Sequence, residues 1–179
     1  MLQKSSIFRT AEFFFINPTR EYYLIDISRN IKLAHTSIKK NLKELTRLGI
    51  ISQHSEKRGG RVFPVYRANF DNRLFKRYKL IHNITAILES GLVGLIEEKL
   101  APKSIVLFGS YSRGEDTETS DIDLFVECKK EEINLKTFEK KLSRKIQINF
   151  NENFNLYPKK LKNNIINGIM LSGFLEGYR

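Results

Sequence analysis

A single cysteine, Cys128, occurs in the 179 residues, so no internal disulfide can form. The three histidines, His35, His54 and His82, are scattered and offer no zinc-type ligand spacing. No apolar run approaches the ~20 residues of a membrane span, and the first residues lack a signal-peptide pattern. These absences predict a cytoplasmic protein with no membrane partner. Repeats and low-complexity segments are missing too. What is present is a hydrophobic content of 41%, ordinary for a globular chain, and length for one ordinary domain or two small ones.

The charge is unevenly placed. Residues 1–82 carry 17 Lys and Arg against 6 Asp and Glu, whereas residues 83–179 carry 14 of each. The whole net charge of +11 therefore belongs to the first half. Such asymmetry fits a nucleic-acid-facing module joined to something else, or a merely basic solvated surface.

Along the first half, the spacing predicts a helix over Ile7–Asn17, stopped by Asn17-Pro18. A strand-like segment over 21–25 and a short helix over 25–31 follow, with Leu24 or Ile27 facing inward. From Ala34 to Leu48, Ile38, Leu42, Leu45 and Leu48 fall on one helical arc, and Thr36, Lys40, Lys43 and Arg47 on the opposite one. Thr36 or Ser37 can cap or start this helix, and Gly49 sits where a left-handed residue ends one. Residues 50–57 and 62–67 read as two strands joined by the tight turn Arg58-Gly59-Gly60-Arg61.

Helix, helix, basic helix and a hairpin with a basic tip resemble a winged helix-turn-helix domain. That resemblance implies double-stranded DNA as partner, the third helix in the major groove and the hairpin on the flanking backbone or minor groove. The candidate DNA-binding residues are Ser37, Lys39, Lys40 and Lys43 on the helix and Arg58 and Arg61 on the hairpin. Many such domains form homodimers.

Residues 69–83 are predicted as a connecting helix with Leu74, Tyr78 and Ile81 on one face. A second helix is expected from Ile84 to about Leu100, running through Gly91 and Gly94. Then comes the stretch from Ser104 to Glu127, around which the second half is organised. Ile105–Phe108 reads as a buried strand, Gly109-Ser110 breaks it, and a polar segment containing Gly114 follows. In the next strand Asp121 and Asp123 alternate with Ile122, Leu124 and Val126. Side chains alternate faces along a strand, so both aspartates point one way, roughly 6–7 Å apart at their Cα atoms. Adjacent carboxylates repel and are costly to bury, and a cation between them removes both costs. A Gly-Ser turn exposing N–H groups and a hydroxyl at the start of a helix suits phosphate. Converging hard oxygen ligands suit Mg2+.

Gly109-Ser110, ten residues, then Asp121-Ile122-Asp123 resembles the signature of nucleotidyltransferases related to DNA polymerase beta. The wording Gly-Ser-Tyr-Ser-Arg-Gly and Ser-Asp-Ile-Asp-Leu looks most like the minimal nucleotidyltransferase branch. The resemblance covers about residues 84–179. It implies transfer of a nucleotide from a nucleoside triphosphate, ATP foremost, to a hydroxyl, with Mg2+ or Mn2+ as cofactor. Asp121 and Asp123 would be catalytic and hold the metal. Gly109, Ser110 and Arg113 would bind the nucleotide, Arg113 being equally well a solvated arginine. Members that catalyse usually carry a third carboxylate on the next strand. Here its place falls on Gln147 or Asn149, and neither can act as a base. Glu152 has the wrong parity, and Glu127 lies too far along.

Beyond that strand, Glu131–Arg144 reads as a helix and Lys145–Phe150 as a third strand. Pro158 starts a last helix reaching Met170. The expected class is mixed α+β, with a winged helix-turn-helix at residues 1–69, a connector at 70–83, and a small α/β nucleotidyltransferase fold with a helix-flanked mixed sheet at 84–179. Three functions compete. One is a DNA-associated nucleotidyltransferase, including an antitoxin that adenylylates a partner toxin. A second is a DNA-binding regulator whose impaired transferase domain senses nucleotide or oligomerises. The third is a structural pairing module, which leaves the Gly-Ser and Asp-x-Asp conjunction unexplained.

Overall fold

A computed structural model describes residues 5–154 and 157–176. The chain divides into two compact units, residues 1–82 and 83–179.

The first unit holds α1 (Ser6–Ile16), β1 (Glu21–Tyr23), α2 (Leu24–Ile31), α3 (His35–Arg47), β2 (Ile51–Arg58) and β3 (Arg61–Ala68). Its three strands are antiparallel in the order β1-β3-β2. Phe14, Phe15, Ile27, Ile38, Leu42 and Leu45 are buried together where the helices meet the sheet. Thr10 and Asn41, both buried, join α1 to α3 through a 3.0 Å hydrogen bond. The start of α3 departs from expectation. Its N-cap is Ala34, without a side-chain hydrogen bond, so neither Thr36 nor Ser37 caps it. Gly49 does take the left-handed conformation (φ 71°) that ends the helix. At the hairpin tip Gly59 and Gly60 both have positive φ, which a two-residue turn matching the strand twist requires.

Two helices replace the expected connector and its successor. α4 runs without interruption from Arg73 to Ser90, and α5 covers Leu92–Leu100. The interruption falls at Gly91 (φ 85°), not near residue 83, because only a residue without Cβ adopts that backbone cheaply. The inward face of α4 is also different. Phe75 and Lys79 are buried in the first unit while Tyr78 and Ile81 are exposed. Lys79 is buried because its ammonium donates to the Phe15 carbonyl at 2.7 Å, capping the end of α1.

The second unit is built on β4 (Ser104–Phe108), β5 (Ile122–Val126), β6 (Ile146–Phe150) and β7 (Ile169–Gly173), ordered β6-β5-β4-β7. β5 and β6 are parallel and the other pairs antiparallel, giving the expected mixed sheet. On one face Ile105, Leu107, Ile122, Leu124 and Val126 pack with Ile87, Leu92 and Ile96 of α4 and α5. On the other, Val106, Phe108 and Phe125 pack with Phe154 and Ile165. The latter core ends where Asp123 begins, so this second face carries the site.

Two elements differ from expectation. α6 covers only Lys136–Leu142, not 131–144, ending at Ser143 in the left-handed conformation (φ 53°). The last helix, α7 (Lys159–Ile166), ends before Met170, which lies in β7. Gly168 makes that change of direction, since a Cβ there would meet the Leu107 carbonyl oxygen at 2.4 Å.

Candidate functional site

The Gly-Ser bend and the two acids are neighbours. β4 and β5 pair antiparallel with Phe108 opposite Asp123, which brings Gly109, the next residue, over the Asp123 carboxylate. A methyl group on Gly109 would stand 2.3 Å from Asp123 Oδ2. Gly109 has φ 75°, so both its backbone and its surroundings exclude a side chain.

After the bend the chain makes only a single 3-10 turn, Tyr111–Arg113, closed by Gly114 at φ 65°. The expected helix start is therefore absent, and no macrodipole is available. An anion held here would meet individual N–H groups and not a helix dipole. Ser110 is partly exposed, and its carbonyl accepts from the N–H groups of Arg113 and Glu115 at 3.1 and 3.0 Å. The N–H groups ahead of these have no acceptor within the turn. Ser112 Oγ donates to the Gly109 carbonyl at 2.9 Å, tightening the bend.

Parallel pairing of β6 with β5 sets Gln147 opposite Asp123 and Asn149 opposite Phe125. Of the two candidates for a third carboxylate position, Gln147 is therefore the one that reaches the site. Its Nε2 lies 3.5 Å from Asp121 Oδ2. Glu127 is engaged elsewhere: it is buried, accepting from Ser104 Oγ and from the Phe154 N–H. Beside Asp121 and Gln147 opens a cavity of about 590 Å3, also lined by Ser120, Ser143, Arg144 and Lys145.

Burial, and secondly the neighbouring Asp121 charge, push the Asp123 carboxyl above its usual range. A cation would relieve both effects. Two carboxylates on one sheet face, with phosphate oxygens to complete the shell, are a donor set that Mg2+ accepts. The residues present fit such an ion.

Of the two alternatives for Arg113, the structure matches the solvated one. Arg113 is exposed, and its Nε pairs with Glu115 Oε2 at 2.9 Å. A buried group that the sequence did not disclose stands behind the bend. Asn83, Asp116 and Arg144 meet there, with Asn83 and Asp116 1% and 0% exposed. Nothing in their spacing singles them out, because they come from a helix, a loop and a strand entry.

In the first unit, Ser37, Lys39, Lys40 and Lys43 are all exposed along α3, opposite buried Ile38, Leu42 and Leu45. Arg58 and Arg61 are exposed and face each other at the ends of the hairpin strands. The Arg58 guanidinium lies 5.5 Å from the centre of the Tyr23 ring. Arg47 differs from the lysines because Glu44 binds it through two hydrogen bonds, at 2.9 and 2.6 Å.

Residues 90–170 match the nucleotidyltransferase domain family. Over 63 residues the chain is 46% identical to a Methanocaldococcus jannaschii protein named "Putative protein adenylyltransferase MJ1215", covering 35% of this chain and 72% of that one. The chain belongs to the nucleotidyltransferases. A second protein of that organism, "Putative protein adenylyltransferase MJ1379", is 61% identical over 33 residues, 18% of this chain and 33% of the relative. The chain thus spans about a third of that relative's length. A solved structure titled "Possible transcriptional regulator from Methanosarcina mazei Go1" overlaps 54% of this chain and 76% of that one, at 16% identity and a TM-score of 0.38. At that distance it bears on neither fold nor function.

Proposed function

We propose that the C-terminal unit binds Mg2+ and a nucleoside triphosphate, ATP foremost, and passes the nucleotide to a hydroxyl of another molecule. The observation that carries this reading is the packing of Gly109 against Asp123, which joins a phosphate-sized bend to a metal-competent carboxylate pair. Asp121 and Asp123 would hold the ion, and Ser110 with the N–H groups of the bend would hold the β- and γ-phosphates. A bound Mg2+ neutralises charge on the triphosphate and on departing pyrophosphate. The chain's own part is to orient the phosphates and to supply fixed dipoles where charge develops. Relatives named as protein adenylyltransferases support a protein hydroxyl as acceptor, and an antitoxin acting on a partner toxin is the form that fits such chemistry.

The N-terminal unit is read as a winged helix-turn-helix that binds double-stranded DNA. Its support is the element order α1-β1-α2-α3-β2-β3, the exposed lysines of α3 and the concentration of net charge in this half.

A second reading has one specific observation in its favour. Gln147 stands where a base would be needed, and an amide cannot take the acceptor's proton. On this reading the protein is a DNA-binding regulator whose transferase-fold unit senses nucleotide. Incubation of the whole protein with Mg2+ and ATP labelled at the α-phosphate separates the two. Label carried to an acceptor, and lost in Asp121→Ala and Asp123→Ala, supports transfer. Tight binding without label transfer supports sensing. Absence of binding overturns both.

A further inference from the structure

The Gly109–Ser120 segment carries the phosphate-facing groups yet contains only one 3-10 turn of regular structure. Its own hydrogen bonds are short-range, with the Ser110 carbonyl accepting from Arg113 and Glu115 and the Tyr111 carbonyl accepting from Gly114 at 3.5 Å, and a contact from outside adds to them. Asn83, on α4, reaches into it at two points: its Nδ2 donates to the Tyr111 carbonyl at 3.0 Å and to Asp116 Oδ1 at 2.7 Å. Asp116 Oδ2 lies 3.8 Å from an Arg144 terminal nitrogen, and the two side chains are 1% and 7% exposed. Arg144 precedes β6 by two residues and also lines the cavity beside Asp121 and Gln147.

Burying a carboxylate this completely is costly, and an apolar pair of similar volume fills the same space without that cost. A hydrogen-bonded polar contact differs from an apolar one in direction: it holds specific atoms in one orientation. Here the atom held is the Tyr111 carbonyl. Because the peptide unit is planar, fixing that oxygen fixes the direction of the Ser112 N–H on its other side. Ser112 in turn closes the bend on Gly109 through its hydroxyl.

We propose that Asn83 and Asp116 are positioning residues for the nucleotide: together they form a buried tether that aims the N–H groups of the Gly109–Ser112 bend at the phosphates. The tether touches neither nucleotide nor metal. It rests on the reading of the bend as a triphosphate site, and it holds whether the nucleotide is transferred or only sensed.

The test is calorimetric binding of the Mg2+ complex of α,β-methylene-ATP, which cannot give up its nucleotide, to the full chain, with a melting curve for each variant. Asn83→Ala, at a temperature where it is folded, is expected to weaken binding about tenfold, the scale of one or two lost hydrogen bonds. Asp116→Asn keeps an acceptor for Asn83 and is expected to stay within about threefold of the parent. The double variant Asn83→Leu/Asp116→Leu replaces the polar pair with apolar groups. Its melting temperature should recover toward that of the parent while its affinity stays low. A merely structural role predicts the opposite, with affinity recovering alongside stability. Parent-like affinity in folded Asn83→Ala overturns the tether alone. Failure of the parent protein to bind the analogue overturns the nucleotide reading and the tether together.

Discussion

The Cα of Gly109 lies against the carboxylate of Asp123 so closely that a single added methyl group would be 2.3 Å from Oδ2. Gly109→Ala therefore has two separate effects. A Cβ at φ 75° costs about 1–2 kcal/mol through backbone strain. The same methyl displaces the Asp123 side chain from the bend. We expect binding of Mg2+-ATP to fall below detection in calorimetry, while the melting temperature drops by about 2–8 °C, as for about 1–2 kcal/mol in a chain of this size. Unchanged nucleotide affinity would show that the bend does not cradle phosphate.

Asp123 sets a pH dependence whose sign follows from its surroundings. Burial first, and the Asp121 charge second, raise its folded-state pKa. The folded protein therefore holds this proton more strongly than the unfolded chain, and stability falls as pH rises from the ordinary aspartate range through the raised value. Above that window the penalty is fully present, so Asp123→Asn should raise the melting temperature at neutral pH in metal-free buffer. Metal binding needs the ionised carboxylate and should weaken as pH falls through the same window. Adding Mg2+ should raise the melting temperature of the parent and not that of Asp123→Asn. Equal responses of the two proteins to Mg2+ would remove Asp123 as a ligand.

Much of the second unit was legible because its signals are short-range. An apolar run ending at Gly109 and an alternating Asp121-Ile122-Asp123 carry strand, bend and face within about a dozen residues. The parity of Gln147 followed from the same alternation. Elements determined by distant contacts were not legible. β7 reads as the tail of a helix until β4 supplies its partner, and only the approach of Gly168 to the Leu107 carbonyl shows why the chain turns there. The inward face of α4 differs from expectation because it includes Lys79, a residue that sequence patterns assign to solvent and that is buried with its ammonium donating to the Phe15 carbonyl. The Asn83–Asp116–Arg144 group was hidden for the same reason: each member is an ordinary polar residue until the fold brings the three together.

Exposed cations on α3 and the hairpin make a graded prediction. If this surface meets phosphates, the affinity for duplex DNA falls linearly with salt on logarithmic axes. Each of Lys39→Ala, Lys40→Ala, Lys43→Ala and Arg58→Ala that removes one phosphate contact should lower that slope by about 1. Arg47→Ala serves as the internal control, since its guanidinium already binds Glu44 and has less to offer a phosphate. Fluorescence anisotropy with a labelled duplex across a salt series gives the slopes. Slopes indifferent to the α3 and hairpin substitutions would take the DNA-binding role away from this unit.

Gln147 is the residue on which transfer and sensing divide, and a single substitution decides between them. Gln147→Glu is nearly isosteric and places a third carboxylate opposite Asp123, beside Asp121. In the metal-free protein this adds a like charge to a pair already under strain, so the melting temperature should fall, and Mg2+ should restore it by more than it raises the parent's. With a group able to take the acceptor's proton, label transfer from ATP should rise about 10^2-fold or more, the contribution typical of a positioned general base. The two readouts are independent. A stability response without any gain in transfer would mean that the added carboxylate reaches the metal but no acceptor is bound within its range, which favours the sensing role. No response in either would place Gln147 outside the site, and its 3.5 Å approach to Asp121 would then be incidental.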